Sequence, residues 1–184
     1  IRKEAFTEKD KGNRFERLMR DYFLTSKKYN EMLTKVWLWS DFPFRKDFGG
    51  KDTGIDLVAK ATDGSYWAIQ CKCYLETANI DKPMVDSFLA TSSRTFMDDE
   101  GIITKFSTRL WVSTTSHWGA NARETIRNQD PPVLVLNQYA IASDATVDWD
   151  KLDAGFHGKK AVQKKEIILR EHQKKALAAA HEYY

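Results

Sequence analysis

Only two cysteines occur in the 184 residues, Cys71 and Cys73. Two apart in one expected strand, they cannot close a normal disulfide, and they lack the partners of a structural zinc site. They read as small core residues, as suits a reducing, cytoplasmic setting. No apolar run approaches the roughly 20 residues that cross a bilayer, and no signal-peptide pattern opens the chain, so no membrane partner is expected. Prolines number four and glycines nine, with no repeat or low-complexity segment, which excludes a fibrous or disordered chain. Charge of one sign is scarce too: the net charge is only +3 and the pI about 8.7, which permits a polyanionic partner without demanding one. The first residue is Ile rather than Met, and a piece of a longer polypeptide is expected.

What is present is an ordinary soluble composition, 42% hydrophobic and 30% charged, on a length that can bury one sizeable core. Lys11 to Leu24 places Phe15, Leu18, Met19 and Tyr22 at helical spacing, with Arg14, Arg17 and Arg20 near the polar side. Strands are expected at Lys35 to Ser40, Gly54 to Lys60 and Tyr66 to Tyr74, the last two joined by an Asp63-Gly64 hairpin turn. Asp81 and Pro83 open a second helix. A strand at Arg109 to Thr115, a helix at Gly119 to Asn128 and a strand at Val133 to Asn137 follow. The order implies an α/β fold, a mixed sheet with helices on both faces. From Ile141 to His157 the pattern is irregular, and after Gly158 it becomes Lys-rich and then helical. The expected division is a domain over 1–157 and a basic linker with the start of something else over 158–184.

Polar residues interrupt the buried strands. Period-two alternation sets Trp67, Ile69, Cys71 and Cys73 on one face and Tyr66, Ala68, Gln70, Lys72 and Tyr74 on the other. In the preceding strand Ile55, Leu57 and Ala59 are expected to share a face, leaving Asp56 and Val58 opposite, so that Asp56 meets Gln70 and Lys72 across the hairpin. Burying such groups is costly unless they have partners or a task. A carboxylate, an amide oxygen and an ammonium at one spot suit phosphodiester hydrolysis assisted by a divalent ion. A plain Asp56–Lys72 ion pair in a non-catalytic sheet explains the same pattern.

The string "GIDLVAK", followed fourteen residues after its Asp by "QCK", resembles the restriction-endonuclease-like, or PD-(D/E)XK, superfamily, and in particular its Mrr-like branch, where the D-then-QxK form occurs. The helix "GNRFERLMRDYF" is similar to that branch's opening helix, so the likeness runs from about Gly12 to Asn137. It implies a restriction-endonuclease-like core and a Mg²⁺-dependent endodeoxyribonuclease, with Mn²⁺ as a substitute. Asp56 becomes the metal-binding aspartate, Gln70 the occupant of the usual acidic position, Lys72 the catalytic lysine and Glu16 an auxiliary metal ligand. Gln70 departs from the superfamily's pattern by supplying oxygen without charge. Apart from the resemblance, Glu16 reads equally as a solvated residue one turn from Arg20.

Gly54 is expected to permit a close or bent backbone approach before the strand. Asp52 reads as a surface carboxylate, and Arg45, Lys46 and Lys51 as either phosphate contacts or solvated cations. His117 and Trp118 read mainly as loop and packing residues, and Gln138 has no assigned role. In "ILREHQKKALAAA", Arg170 and Gln173 resemble the adenine-contacting positions at the entry of a helicase-like ATPase motor, against the alternative of a basic amphipathic helix. No GxxxxGK[ST] loop follows, so ATP enters only through a motor beyond this chain. The combination resembles the single-chain type ISP restriction enzymes. It implies double-stranded DNA as partner, little sequence preference in cutting, and motor, methyltransferase and target-recognition domains on the same polypeptide. A stand-alone Mrr-like nuclease, a junction or RNA-processing nuclease and an inactive DNA-binding module are the alternatives.

Overall fold

The first helix begins a turn earlier than its apolar stripe suggests. Thr7 caps it: its backbone is extended and its Oγ1 accepts from the Asp10 N–H at 3.0 Å, with Glu8 and Asp10 in the positive first turn. The computed structural model, which describes residues 7–49 and 54–156, gives this helix as α1 (Glu8–Thr25), with Phe15, Met19, Tyr22 and Phe23 buried. A short α2 (Lys27–Met32) turns the chain into β1 (Leu33–Leu38). There follow β2 (Leu57–Ala61), β3 (Tyr66–Lys72), α3 (Lys82–Ser92), β4 (Thr95–Met97), β5 (Ile103–Ser113), α4 (Ala120–Ile126), β6 (Val133–Asn137), α5 (Gln138–Ala142) and α6 (Trp149–Phe156).

β1, β2 and β3 form an antiparallel meander, β3 pairs in parallel with β5, and β5 in parallel with β6. The short β4 lies antiparallel on the first residues of β5. At the expected Asp63-Gly64 turn, Gly64 has φ +86° and Asp63 Oδ1 accepts from the Ser65 N–H at 2.9 Å.

Two apolar layers cover the sheet. One joins Phe15, Met19 and Phe23 of α1 to Leu57, Ile69 and Val112, with Ile141 and Leu152 at its edge. The other joins Val85 and Phe88 of α3 to Val58, Ala68 and Trp111, with Phe42, Phe48 and Phe96 clustered beside them. The chain is therefore α/β, with helices on both faces of a mixed sheet as expected. Alternation in β3 also holds, since Trp67, Ile69 and Cys71 face the first layer and Tyr66 and Ala68 the second.

Other parts of the sequence reading change as well: β1 runs Leu33–Leu38 rather than Lys35 to Ser40, and β2 begins at Leu57 rather than Gly54. β5 starts six residues before Arg109 and carries β4 as a hairpin partner; this end is exposed, with Ile103 71% accessible, so no apolar run announced it. Residues after Ile141 are not irregular throughout, because α6 forms there. Their anchor is Asp144, whose Oδ2 accepts from Ser26 Oγ at 2.6 Å and Tyr22 Oη at 3.1 Å, holding the α5–α6 connection onto α1. Finally, Ile55 does not share the Leu57 and Ala59 face but packs in the second layer with Val58. The alternation breaks between Ile55 and the start of β2 at Leu57.

Candidate active site

Gly54 has φ +82°, and a Cβ there would lie 2.9 Å from Ser87 Oγ and 3.0 Å from the Phe88 backbone nitrogen. Both the close approach and the bend expected at this residue are present. Two residues on, Asp56 is tied into the sheet from both sides: its N–H donates to the Ile69 carbonyl at 3.0 Å, and its carbonyl accepts from the Trp39 N–H at 2.7 Å. The Asp56 backbone is therefore fixed between β1 and β3. Its Oδ2 accepts from the Cys71 N–H at 2.7 Å and from the Gln70 side-chain amide.

Gln70 is only 1% exposed and stands behind Asp56 on the β3 face that also carries Lys72. Its Nε2 is occupied by Asp56, whereas its Oε1 is buried with no hydrogen-bond partner. A buried acceptor without a donor is costly, and such groups commonly mark a ligand or ion position. Glu16 comes from α1, where Asn13, Glu16 and Arg17 share a face by i, i+3, i+4 spacing. These three residues line a cleft of about 310 Å³ with Ser40, Arg45 and Asp56. Glu16 and Asp56, far apart in sequence, thus face one space. The Arg20 guanidinium that the sequence offered to Glu16 donates to Asp21 at 2.9 Å.

The Cys71 thiol reports the local field. Burial pushes its pKa well above the usual thiol value, the Asp56 and Glu16 carboxylates raise it further, and the Lys72 ammonium opposes them. Three of the four expected site residues therefore act on one buried atom, and the fourth, Gln70, bonds directly to Asp56. Among the described residues no three His, Cys, Asp or Glu side chains gather as a metal site. Two carboxylates facing one cleft, with the Gln70 amide bonded to Asp56 although Gln70 does not itself line the cleft, are of the chemistry that a hard, oxygen-seeking divalent cation takes.

Other expected residues separate. Arg45 reaches the cleft, whereas Lys46 is exposed. The backbone of His117 is used locally, its carbonyl accepting from the Ile80 N–H at 2.9 Å, and its side chain is exposed. Trp118 packs 5.6 Å from the Trp111 ring. Gln138 opens α5 and donates to Glu76 at 3.4 Å. Lys51, Asp52, Arg170 and Gln173 lie outside the described residues. Sequence reasoning missed Asn13 and Ser40 as cleft residues and left Arg17 on a polar helix face. The signal for Asn13 and Arg17 was their spacing around Glu16; Ser40 carried none.

The model of the restriction endonuclease family, Mrr type, matches residues 24–159. That span holds Asp56, Gln70 and Lys72, while Glu16 precedes it. Among solved structures, the ATP-dependent Type ISP restriction-modification enzyme LlaBIII bound to DNA is 26% identical, with a TM-score of 0.60 over 91% of this chain and 10% of that chain. The chain thus spans about a tenth of that enzyme. The MspJI restriction endonuclease in complex with a 27-mer oligonucleotide is 15% identical with a TM-score of 0.47, covering 90% of this chain and 35% of that one. The DNA modification-dependent restriction endonuclease AspBHI is 13% identical with a TM-score of 0.44, covering 83% and 40%. No curated protein matches the chain. Because the family match covers residues 24–159, more than half of the chain, with Asp56, Gln70 and Lys72 among them, this chain belongs to the Mrr-like restriction endonucleases.

Proposed function

We propose that the chain is a Mg²⁺-dependent endonuclease domain that hydrolyses phosphodiester bonds of duplex DNA with little sequence preference, as the nuclease part of a translocating restriction-modification enzyme. One observation carries the reading: Asp56 and Glu16 line the same cleft, with the unpartnered Gln70 Oε1 behind Asp56. Asp56, Glu16 and Gln70 would hold the ion, and Mn²⁺ would substitute for it. When bound, a divalent ion supplies Lewis acidity and an activated water. Around it the protein's own groups do the positioning. The Cys71 N–H and Gln70 amide fix the Asp56 carboxylate, so little reorganisation is needed at the moment of reaction. Lys72, at the end of β3 beside the same carboxylates, stabilises negative charge as it develops on the phosphate.

The likeness to a Type ISP enzyme along 91% of the chain supports the wider assignment. In this reading, residues 158–184 lead into an ATPase motor, with Arg170 and Gln173 at the adenine of ATP. Methyltransferase and target-recognition domains lie further along the polypeptide, and the enzyme works in the cytoplasm. Target choice rests with those domains, which leaves the nuclease free of a preferred sequence. The test is a Mg²⁺ titration of strand scission by the motor-containing polypeptide on random-sequence duplex, four-way junction and RNA substrates of equal length. Metal-dependent cutting of the duplex, reversed by chelator, is the expected result. Cutting confined to RNA or junctions, or none at any metal concentration, overturns it.

A further inference from the structure

Helix α1 carries three arginines on its polar side, and they differ in one respect. Arg14 pairs with Asp10 at 3.0 Å and Arg20 with Asp21 at 2.8 Å, as solvated helix charges commonly do. Arg17, the one that lines the cleft, has no side-chain partner among the described residues. Across the cleft the same is true of Arg45, which is half-buried. A guanidinium held in a partly enclosed space without a carboxylate or carbonyl partner forgoes its strongest interactions, and its planar fork is well matched to phosphate oxygens.

Arg45 also stands on a rigid mount. It begins the single helical turn Arg45–Phe48, and Arg94 reaches over to donate to the carbonyls of Phe48 and Asp47, each at 3.0 Å. Asp47 Oδ2 accepts from the Met97 N–H at 2.9 Å, and the Phe48 ring packs 5.3 Å from Trp39 and 5.7 Å from Phe96. Such anchoring is more than a solvated surface arginine requires. Arg17 is exposed and rides on α1, whose opposite face buries Phe15 and Met19. The backbone under each cation is therefore fixed before any ligand arrives, which lowers the ordering cost of binding.

Charge explains why the pair would be needed. Glu16 and Asp56 give the cleft two negative charges, which repel a phosphodiester, and Arg17 and Arg45 add two positive ones, bringing the sum to zero. We infer that Arg17 and Arg45 form a guanidinium clamp on the backbone of the strand to be cut, seating duplex DNA in the cleft before any divalent ion is present. The inference rests on the nuclease reading above and adds to it the residues that hold the strand; neither is among the groups that would hold the ion, so the grip is measurable in chelator.

The experiment measures binding of a random-sequence duplex by the full 184-residue chain in chelator, as a function of NaCl, for wild type, Arg17→Ala/Arg45→Ala, Arg45→Lys and Arg127→Ala. Each lost phosphate contact should reduce the slope of log K against log salt by about 0.9, so the double variant should fall by about 1.8. Arg127 lies just past the end of α4 and pairs with Glu124, and its variant should keep the wild-type slope. Arg45→Lys keeps the charge and should retain most of the slope while binding more weakly, because a lysine cannot make the two-point contact. Asp56→Asn/Glu16→Gln should bind more tightly than wild type in chelator. A double arginine variant with the slope of wild type, or of Arg127→Ala, overturns the clamp. Metal-dependent cutting by the wild-type motor-containing polypeptide with coincident slopes sinks the clamp alone, whereas absence of cutting by that polypeptide with a shallower double-variant slope sinks the nuclease reading and leaves phosphate binding by the two arginines standing.

Discussion

Gly54→Ala isolates the device that delivers Asp56 to the cleft. The substitution has two separable costs. An alanine at φ +82° occupies the left-handed region, which costs about 1 to 2 kcal/mol. The new Cβ also meets Ser87 Oγ at 2.9 Å, the Phe88 nitrogen at 3.0 Å and the Ser87 carbonyl carbon at 3.1 Å. Ser87 Oγ can rotate away, but the other two atoms belong to the backbone of α3, and Phe88 beneath them is fully buried. Relieving that contact moves the helix against its core, an overpacking cost of about 1 to 3 kcal/mol. The total is about 2 to 5 kcal/mol. Gly64 provides the control, since it has nearly the same φ, +86°, with nothing within 4 Å of the added Cβ. Gly64→Ala should therefore show only the backbone cost. Urea denaturation with unchanged m-values gives both numbers directly. If Gly54→Ala is no more destabilising than Gly64→Ala, the close approach to α3 does not constrain the chain.

Gln70→Ala should abolish cleavage at ordinary Mg²⁺, because it removes both the bond to Asp56 and the buried amide oxygen; a variant matching wild type at every metal concentration would make Gln70 a plain strand residue. Gln70→Glu should keep activity with altered metal preference, yet set two carboxylates side by side in the metal-free protein, lowering its melting temperature in chelator until Mg²⁺ is restored. Glu16→Ala should raise the Mg²⁺ concentration needed for cleavage, as read from the same titration, by leaving Asp56 the sole anion among the three ligands. Asp144 should make stability acid-sensitive. Burial raises its pKa, but hydrogen bonds from Ser26, Thr146 and Tyr22 outweigh this and bring it from the usual 3.8 to about 2. The stabilisation is thus present above pH 3.8 and lost as pH falls towards 2. Thermal melts of wild type and Asp144→Asn should differ at neutral pH and converge across that window; a gap that does not narrow refutes the assignment.

The sheet was legible where an apolar run or a turn signal marks it. Val133–Asn137 has the bounds its apolar run announced, although it lies at the sheet edge with Leu134 and Val135 exposed rather than in the interior, and the β2–β3 hairpin follows its Asp63-Gly64 turn. Elements that rest on tertiary contacts were not legible. β4 and the start of β5 are mostly exposed and are held by Phe96 and Phe106 against the second layer, and α6 is approached through a loop pinned by Asp144 to α1. Of the site, Asp56, Gln70 and Lys72 were readable because polar groups in buried strands are conspicuous. What period-two reasoning could not give is the break in alternation just ahead of β2, which leaves Ile55 in the other layer from Leu57. Nor could it show that Gln70 is spent on Asp56 through its nitrogen while its oxygen is left without a partner.

The most direct test of the central claim is the single-turnover rate of duplex cleavage by the motor-containing polypeptide carrying Asp56→Ala or Lys72→Ala, at saturating Mg²⁺, beside wild type. In the proposed reading Asp56 serves an ion and Lys72 a charge on the substrate, and neither belongs to the apolar layers. Both variants should therefore keep the wild-type circular dichroism and cut no DNA. Near-normal cleavage by either folded variant would contradict the assignment of this site.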